Sequence, residues 1–540
     1  MYRRILMLSA ASLLAACATE AEKNSEAPAI ASETMVAESA AMPAMADLAM
    51  ASPSRREGFS SPLPPPQVQD TSRFENGDPN PVFRVGSTPV STFSSDVDTA
   101  SYAIARRYLR NGQLPPSEAV RVEEFINAFD YNYPVPDDAD RPFAPSIEII
   151  PTPWNSETEL IRIGVKGYDL EPEEVPDSNI VLLLDVSGSM NSDDKLPLLV
   201  KSMKLLVDEL DEDDTISVVV YAGAAGVVLE PTPGNEKVKI KQALDRLSAG
   251  GSTAGGEGLA LAYDLAEENF DPEAVNRIIL ATDGDFNVGV TGDDPLTDFV
   301  ARKRDEGVYL SVLGFGTGNL NDRMMQSIAQ NGNGVAAYID DLDEARKILV
   351  REFTSSMFPI AEDLKFQVEF NRSAVSQYRL IGYQTRILRE EDFDNDKVDA
   401  GDIGSGHTVT AFYEVVRQGD QGWLPERRYE ALEKLAYDPD AELAFLRIRY
   451  KKPGEDESRL IERAITPEDR VGSFRRASED TRFAAVAAAF GEKLARTGYA
   501  DDLGYDELID MANDAKGRDE YGDRAAFVQL LRRAKELGSG

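Results

Sequence analysis

The chain has 540 residues, more than one domain's usual range, and carries 95 acidic against 57 basic side chains for a net charge of −38. Such a surface is a poor partner for nucleic acid and for anionic lipid headgroups, while it attracts divalent cations. One cysteine and one histidine exclude a Cys/His zinc site and a structural disulfide within a single chain.

Met1-Tyr2-Arg3-Arg4 is a basic start, Ile5 to Leu14 is a short apolar run, and Leu14-Ala15-Ala16-Cys17 follows. The run is too short to span a bilayer. The segment, residues 1–17, resembles a bacterial lipoprotein signal with its lipobox. That resemblance implies cleavage before Cys17 and lipidation of its thiol and new amine. Several acyl chains anchor firmly, where one binds only marginally. Ala18, rather than Asp, favours the outer membrane over the inner under the sorting rule of some Gram-negative lipoproteins. The chain is therefore expected in the cell envelope, facing the periplasm or the outside, and attached through lipid alone. Residues 18–80 are rich in Ala, Ser, Pro, Met and Glu without a hydrophobic period, and read as a disordered tether.

Residues 81–135 read as a helical N-terminal region. Ser117 followed by Glu118 to Phe129 predicts a capped amphipathic helix. Asp96-Val97-Asp98-Thr99-Ala100-Ser101-Tyr102, with Arg121-Val122-Glu123-Glu124-Phe125, resembles the N-terminal region of a bacterial lipoprotein family, the YfbK-like proteins. Asp96 and Asp98 are either metal ligands or acids at a helix N-terminus. Strands are predicted at 146–151 and 159–167, then at 364–370, 378–388, 408–416, 443–450 and 459–465. Phe366 to Phe370 and Leu446 to Tyr450 alternate as half-buried antiparallel strands do. Residues 136–176 plus 356–466 would form one β-sandwich-like domain, interrupted by residues 177–355.

Within that insertion, Asn179 to Leu184 is a continuous apolar run of the kind a buried parallel strand shows. It ends in Asp185-Val186-Ser187-Gly188-Ser189-Met190, a carboxylate and two hydroxyls spaced two apart on one turn. Thr253 follows on the Gly-rich loop 250–256. Arg277 to Thr282 is a second apolar strand, ending in Asp283-Gly284-Asp285. Hard oxygens suit Mg²⁺, Mn²⁺ or Ca²⁺. The Gly-rich loop lacks a lysine, which argues against a phosphate loop. Apolar strands alternate with helix-period segments from 196 to 329, the order of a doubly wound α/β sheet, whose ligands sit beyond the carboxyl ends of strands. The D-x-S-x-S, Thr and T-D-G constellation resembles the metal-ion-dependent adhesion site of von Willebrand factor A domains. The resemblance implies an ion held by Ser187, Ser189 and Thr253 directly or nearly so, and by Asp185 and Asp283 directly or through water. It also implies a protein ligand that supplies a carboxylate to the ion, and a final helix, here near 344–353, that shifts between closed and open states. Asp285 is an extra carboxylate with no assigned role.

The acidic run 392–399 has Lys397 where a calcium loop needs Gly, and reads as a solvated loop. His407 reads as a structural histidine at a strand start. Residues 467–540 read as a helical C-terminal region, and the YfbK-like resemblance runs from about residue 80 to the end. The fold class expected is a doubly wound α/β A domain inserted in a β-sandwich-like domain, with helical segments at both ends. The function expected is a membrane-anchored, extracytoplasmic protein-binding module using Mg²⁺ and not an enzyme. The alternatives are a metal-assisted hydrolase, or an envelope-assembly scaffold in which the metal is only structural.

Overall fold

The computed structural model describes residues 72–538, apart from 75–76, 137–140, 171–174, 285, 287–293, 426, 428–437, 439 and 456. Cys17, nearly all of the expected tether, and Asp285 lie outside the described residues.

The described chain opens with β1 (Phe83–Arg84), β2 (Val90–Ser94), α1 (Ala100–Arg110), α2 (Val122–Ile126), β3 (Ser146–Pro151) and β4 (Glu159–Lys166). The next elements are β5 (Ser178–Asp185), α3 (Leu196–Glu209), β6 (Thr215–Tyr221), β7 (Ala225–Pro233), α4 (Lys237–Asp245), α5 (Gly255–Glu268) and β8 (Val275–Thr282). They continue as α6 (Asp294–Asp305), β9 (Val308–Phe315), α7 (Asp322–Asn331), β10 (Ala336–Ile339) and α8 (Leu342–Arg346). A π-helical turn, Lys347–Arg351, joins α8 to α9 (Phe353–Met357). Then come β11 (Pro359–Phe370), β12 (Val375–Ile381), β13 (Ile387–Leu388), β14 (Ile403–Gly404), β15 (Thr408–Arg417), β16 (Ala444–Lys451) and β17 (Arg459–Ile465). Three helices close the chain: α10 (Glu479–Ala495), α11 (Tyr505–Ala515) and α12 (Asp523–Gly538).

The central sheet has the order β10-β9-β8-β5-β6-β7. Its neighbours pair in parallel except β7, which runs antiparallel to β6. Every residue of β5 is buried because the strand is covered on both faces. Ile180, Leu182 and Leu184 enter one core, and Val181 and Leu183 enter the other. This is the doubly wound arrangement, with helices on each side.

Two further sheets, β1-β12-β15-β4-β3 and β13-β2-β11-β16-β17, enclose a shared core. Ile161, Ile163 and Val165 of β4 meet Phe366, Val368 and Phe370 of β11 within it. β4, which precedes the doubly wound domain, pairs along its length with β15, which follows it. The domain is thus inserted in the sandwich. The outer face of the first sheet is not wet. Leu160 and Phe412 point into a separate core with Phe125 and the alanines 484–489 of α10.

The N-terminal region differs from the helical expectation. β1 and β2 belong to the sandwich, pairing with β12 and β11. The helix predicted after Ser117 is only a 3₁₀ turn, Ser117–Ala119, and the five residues of α2. Arg121 is extended between them, and its N–H donates to Ser101 Oγ rather than to a helical carbonyl. The strand predicted over 378–388 breaks at Gly382 and Tyr383, where φ is +74° and +62°. Beyond the break, β13 joins the opposite sheet. The 392–399 loop is not merely solvated: Asp394 pairs with Arg449 at 2.5 Å, and Asp399 pairs with Arg304 at 2.8 Å.

More than two linkers hold the inserted domain. Asp98 accepts the N–H of Ala336 at 2.9 Å, so α1 begins against edge strand β10. Arg106 pairs with Asp340 and Glu344, and Arg121 pairs with Asp322 at 2.6 Å and with Glu124. Lys347 donates to Ala128 O at 2.6 Å, and Arg351 pairs with Asp523 of α12 at 2.7 Å. The final helical run is therefore tied to both the N-terminal and the C-terminal region.

Candidate metal centre

β5 carries the chain to the carboxyl edge of the sheet, where it must turn. Asp185 makes that turn by accepting the N–H of Ser187 at 2.8 Å, which brings Ser187 Oγ within 3.0 Å of Ser189 Oγ. The Gly-rich loop is strapped against this turn. Gly250 N–H donates to Val186 O at 2.8 Å, and Gly188 N–H donates to Gly251 O at 3.0 Å. The approach is close enough to need glycine: Gly251 has φ +87°, and a Cβ there would lie 3.1 Å from Gly223 N. Thr253 stands on the same loop, half-buried, just ahead of α5. It makes no hydrogen bond to the other four ligand candidates among the described residues.

β8 ends beside β5 and delivers two groups. Thr282 Oγ1 donates to Asp185 Oδ2 at 3.3 Å, and Asp283 follows, almost fully buried. The structure thus gathers Asp185, Ser187, Ser189 and Asp283 at one strand-end cleft, with Thr253 on the loop beside them. Two further residues escaped the reading of the sequence. Lys195 Nζ donates to Asp283 Oδ2 at 2.8 Å and to Asn319 Oδ1 at 3.2 Å. The lysine stem packs over Gly316, where a Cβ would lie 2.2 Å from Lys195 Cγ. The one available signal was a lone lysine between the acidic pair Asp193-Asp194 and the apolar helix α3.

The two carboxylates differ in environment. Burial pushes the Asp185 carboxyl up to about 6, against hydrogen bonds from Ser187. Among the described residues, Asp185 meets no basic side chain. Burial also works to raise Asp283, but the hydrogen bond and charge of Lys195 outweigh it and hold this carboxyl below its usual range. The donors are carboxylate and hydroxyl oxygens only, the set that fits a hard divalent cation. A cation would remove the penalty that burial places on ionised Asp185. Among the described residues no group of three or more His, Cys, Asp and Glu side chains is placed to hold a metal ion. A site of two carboxylates, from the ends of β5 and β8, completed by hydroxyls does not need one.

The doubly wound sheet and this strand-end turn define a protein built on a von Willebrand factor type A domain. The model of that domain matches residues 179–351. A second model, described as von Willebrand factor, matches 68–162, and one described as "Uncharacterized protein YfbK, C-terminal" matches 355–537. The chain belongs to the YfbK family. It is 44% identical over 477 residues to "Uncharacterized protein YfbK" of Escherichia coli (strain K12), covering 87% of this chain and 81% of that protein. A match at 36% identity over 187 residues, to "Uncharacterized protein sll0103" of Synechocystis sp. (strain ATCC 27184 / PCC 6803 / Kazusa), covers 34% of this chain and 43% of that one. Among solved structures, von Willebrand factor type A from Catenulispora acidiphila superposes with a TM-score of 0.42 at 18% identity, over 75% of this chain and 91% of that one.

Proposed function

We propose that the protein is a lipid-anchored, extracytoplasmic binding module that captures a protein ligand at a divalent ion in its A domain. The observation that carries this reading is the convergence of Asp185, Ser187, Ser189 and Asp283 at the carboxyl ends of β5 and β8, with Thr253 on the loop strapped to them. These residues would hold Mg²⁺, with Mn²⁺ or Ca²⁺ as substitutes. The ion would supply a Lewis-acidic coordination position to a ligand carboxylate. The chain's own residues orient the hydroxyls and bury the carboxylates. Among the described residues no histidine or cysteine stands beside them to act as base or nucleophile, which favours capture over turnover. The anchor would be Cys17, with the body in the envelope and the outer membrane favoured.

Calorimetric titration of the full chain with MgCl₂ tests the site. About one ion per chain is expected, bound weakly because part of the shell waits for a ligand. Asp185→Ala should abolish binding and leave the circular dichroism spectrum unchanged, and binding retained in the variant would refute the assignment. Capture of a protein partner from envelope extract should disappear when EDTA is added. Detergent partitioning of the wild type against Cys17→Ser tests the anchor, and equal partitioning would place it elsewhere.

A further inference from the structure

A cavity of about 210 Å³ lies at the opposite end of the A domain, between its sheet and the loops of the sandwich. Arg277, near the start of β8, and Asp402, ahead of β14, both line it. Arg277 is six residues before Asp283 along an extended strand, about 20 Å away at roughly 3.3 Å per residue. This is not the metal centre.

The charges in this cavity are unevenly matched. Arg386 pairs with Asp96 at 2.9 Å and with Asp98 at 2.8 Å, which accounts for all three. Asp399 has Arg304. Arg277 and Asp402 make no ion pair among the described residues. Arg277 is 2% exposed. It donates to Ser311 Oγ at 2.8 Å and, at 3.4–3.5 Å, to the carbonyls of Met357 and Asn333, and it lies over the Tyr309 ring at 5.3 Å. Its Nε has no acceptor, and among the described residues no carboxylate reaches it. Asp402 accepts one N–H, from Asp363 at 3.2 Å, and meets no basic side chain among the described residues. Burial pushes Arg277 down to about 10 and Asp402 well above its usual range, the latter reinforced by Glu362 and Asp399. His407 also lines the cavity, but burial pushes it down to about 4, so it brings no counter-charge at neutral pH.

A buried charge without a partner is costly. Here a guanidinium and a carboxyl face one space: Asp402 acts on Arg277 at a distance, but no hydrogen bond or ion pair joins them. A molecule carrying both charges would satisfy each at once. The volume is well above what one water needs and below the roughly 300–1,000 Å³ of sites for drug-sized ligands. We propose that this cavity is a second ligand site, for a free α-amino acid whose carboxylate meets Arg277 and whose ammonium meets Asp402. A guanidinium is the side chain best suited to grip a carboxylate. The exit from α9 into β11 passes the same cavity through Ser355, Ser356 and Pro359, so an occupant would touch the junction between the A domain and the sandwich.

Titration of the full chain with glycine, L-alanine, D-alanine, L-glutamate and L-lysine, followed by calorimetry and thermal melting, tests this. At least one is expected to bind below about 1 mM and to raise the melting temperature. Its N-acetyl derivative, which lacks the cation, and its amide, which lacks the anion, should each bind at least about tenfold more weakly. Arg277→Gln and the near-isosteric Asp402→Asn should each weaken binding by a similar factor. Should Arg277→Gln fail to fold, Asp402→Asn and the two blocked ligands still decide the matter. Failure of all five amino acids at about 10 mM would overturn the proposal. So would a blocked form that binds as well as the free one, or undiminished binding by folded Asp402→Asn.

Discussion

At the carboxyl ends of β5 and β8 lie two buried carboxylates: Asp283 pairs with Lys195, while Asp185 meets no basic side chain among the described residues. Along the β10 edge of the same domain, the cations are answered: Arg121 has Glu124 and Asp322, and Arg106 has Asp340 and Glu344. Both regions bury charge, yet they use it differently. Matched internally, charge fixes one element against another, because breaking the pair strands an ion in low dielectric. Left partly unmatched at a strand end, charge is available to something that arrives from solvent. The comparison also bears on movement. A shift of the final helical run would have to carry or break the contacts of Glu344, Lys347 and Arg351. The ligand end meets the N-terminal region through backbone carbonyls instead: Arg107 donates to Gly316 O at 3.0 Å, and Arg73 N–H donates to Leu320 O at 2.8 Å.

Three substitutions sharpen the comparison. The largest effect is expected from Arg121→Met, which leaves Glu124 and Asp322 buried without their cation. A loss of about 3–5 kcal/mol is expected in urea denaturation. A loss below about 1 kcal/mol would mean that the edge is not held by its charges.

Next is Glu123→Gln, one residue from that network. Glu123 is fully buried, and burial pushes its carboxyl from 4.5 up to about 7, with Asp96 and Glu124 adding to the effect. The folded chain then keeps a proton that the unfolded chain has lost between pH 4.5 and 7. Stability should fall as pH rises through that window. At about 1.4 kcal/mol per pH unit, the group accounts for roughly 3 kcal/mol. Glu123→Gln should remove that much of the decline between pH 5 and 8, read from paired denaturation curves. An unchanged slope would show that Glu123 is not the titrating group.

The smallest effect is expected at the open end. Lys195→Met removes the cation beside Asp283 and should strengthen Mg²⁺ binding by at least about tenfold, since like charges at this separation repel even at moderate dielectric. Weaker binding in calorimetry would show that Lys195 orients Asp283 instead of competing for it.

Much of this was legible in the sequence, for reasons that differ by segment. β5 and β8 announce themselves as unbroken apolar runs because both of their faces are covered. The ligand turn follows from local spacing alone, as Asp185 accepting from Ser187 needs only two residues. Segments that take their shape from distant partners were not legible. β2, Val-Ser-Thr-Phe-Ser, is a strand because β11 and β13 flank it. β7 carries Pro231 and Pro233, which lower any strand expectation and are tolerated at the edge of a sheet. The helix expected from 117 to 129 failed because Arg121 spends its N–H and its guanidinium on tertiary partners. Lys195 stayed hidden because its partner lies 88 residues away.

The pairing of β4 with β15 across the whole A domain sets an order of events during synthesis. β3 and β4 leave the ribosome as a two-stranded ribbon, marginal by itself, with one edge open until β15 is made. β2 waits in the same way for β11. The A domain is continuous in sequence and can close its own sheet during that interval. A chain halted just after α9 would therefore join a finished domain to unpaired strand edges. Such a chain is expected to aggregate through its N-terminal strands rather than through the A domain, so the delay between β4 and β15 is a moment of exposure that the insertion itself creates.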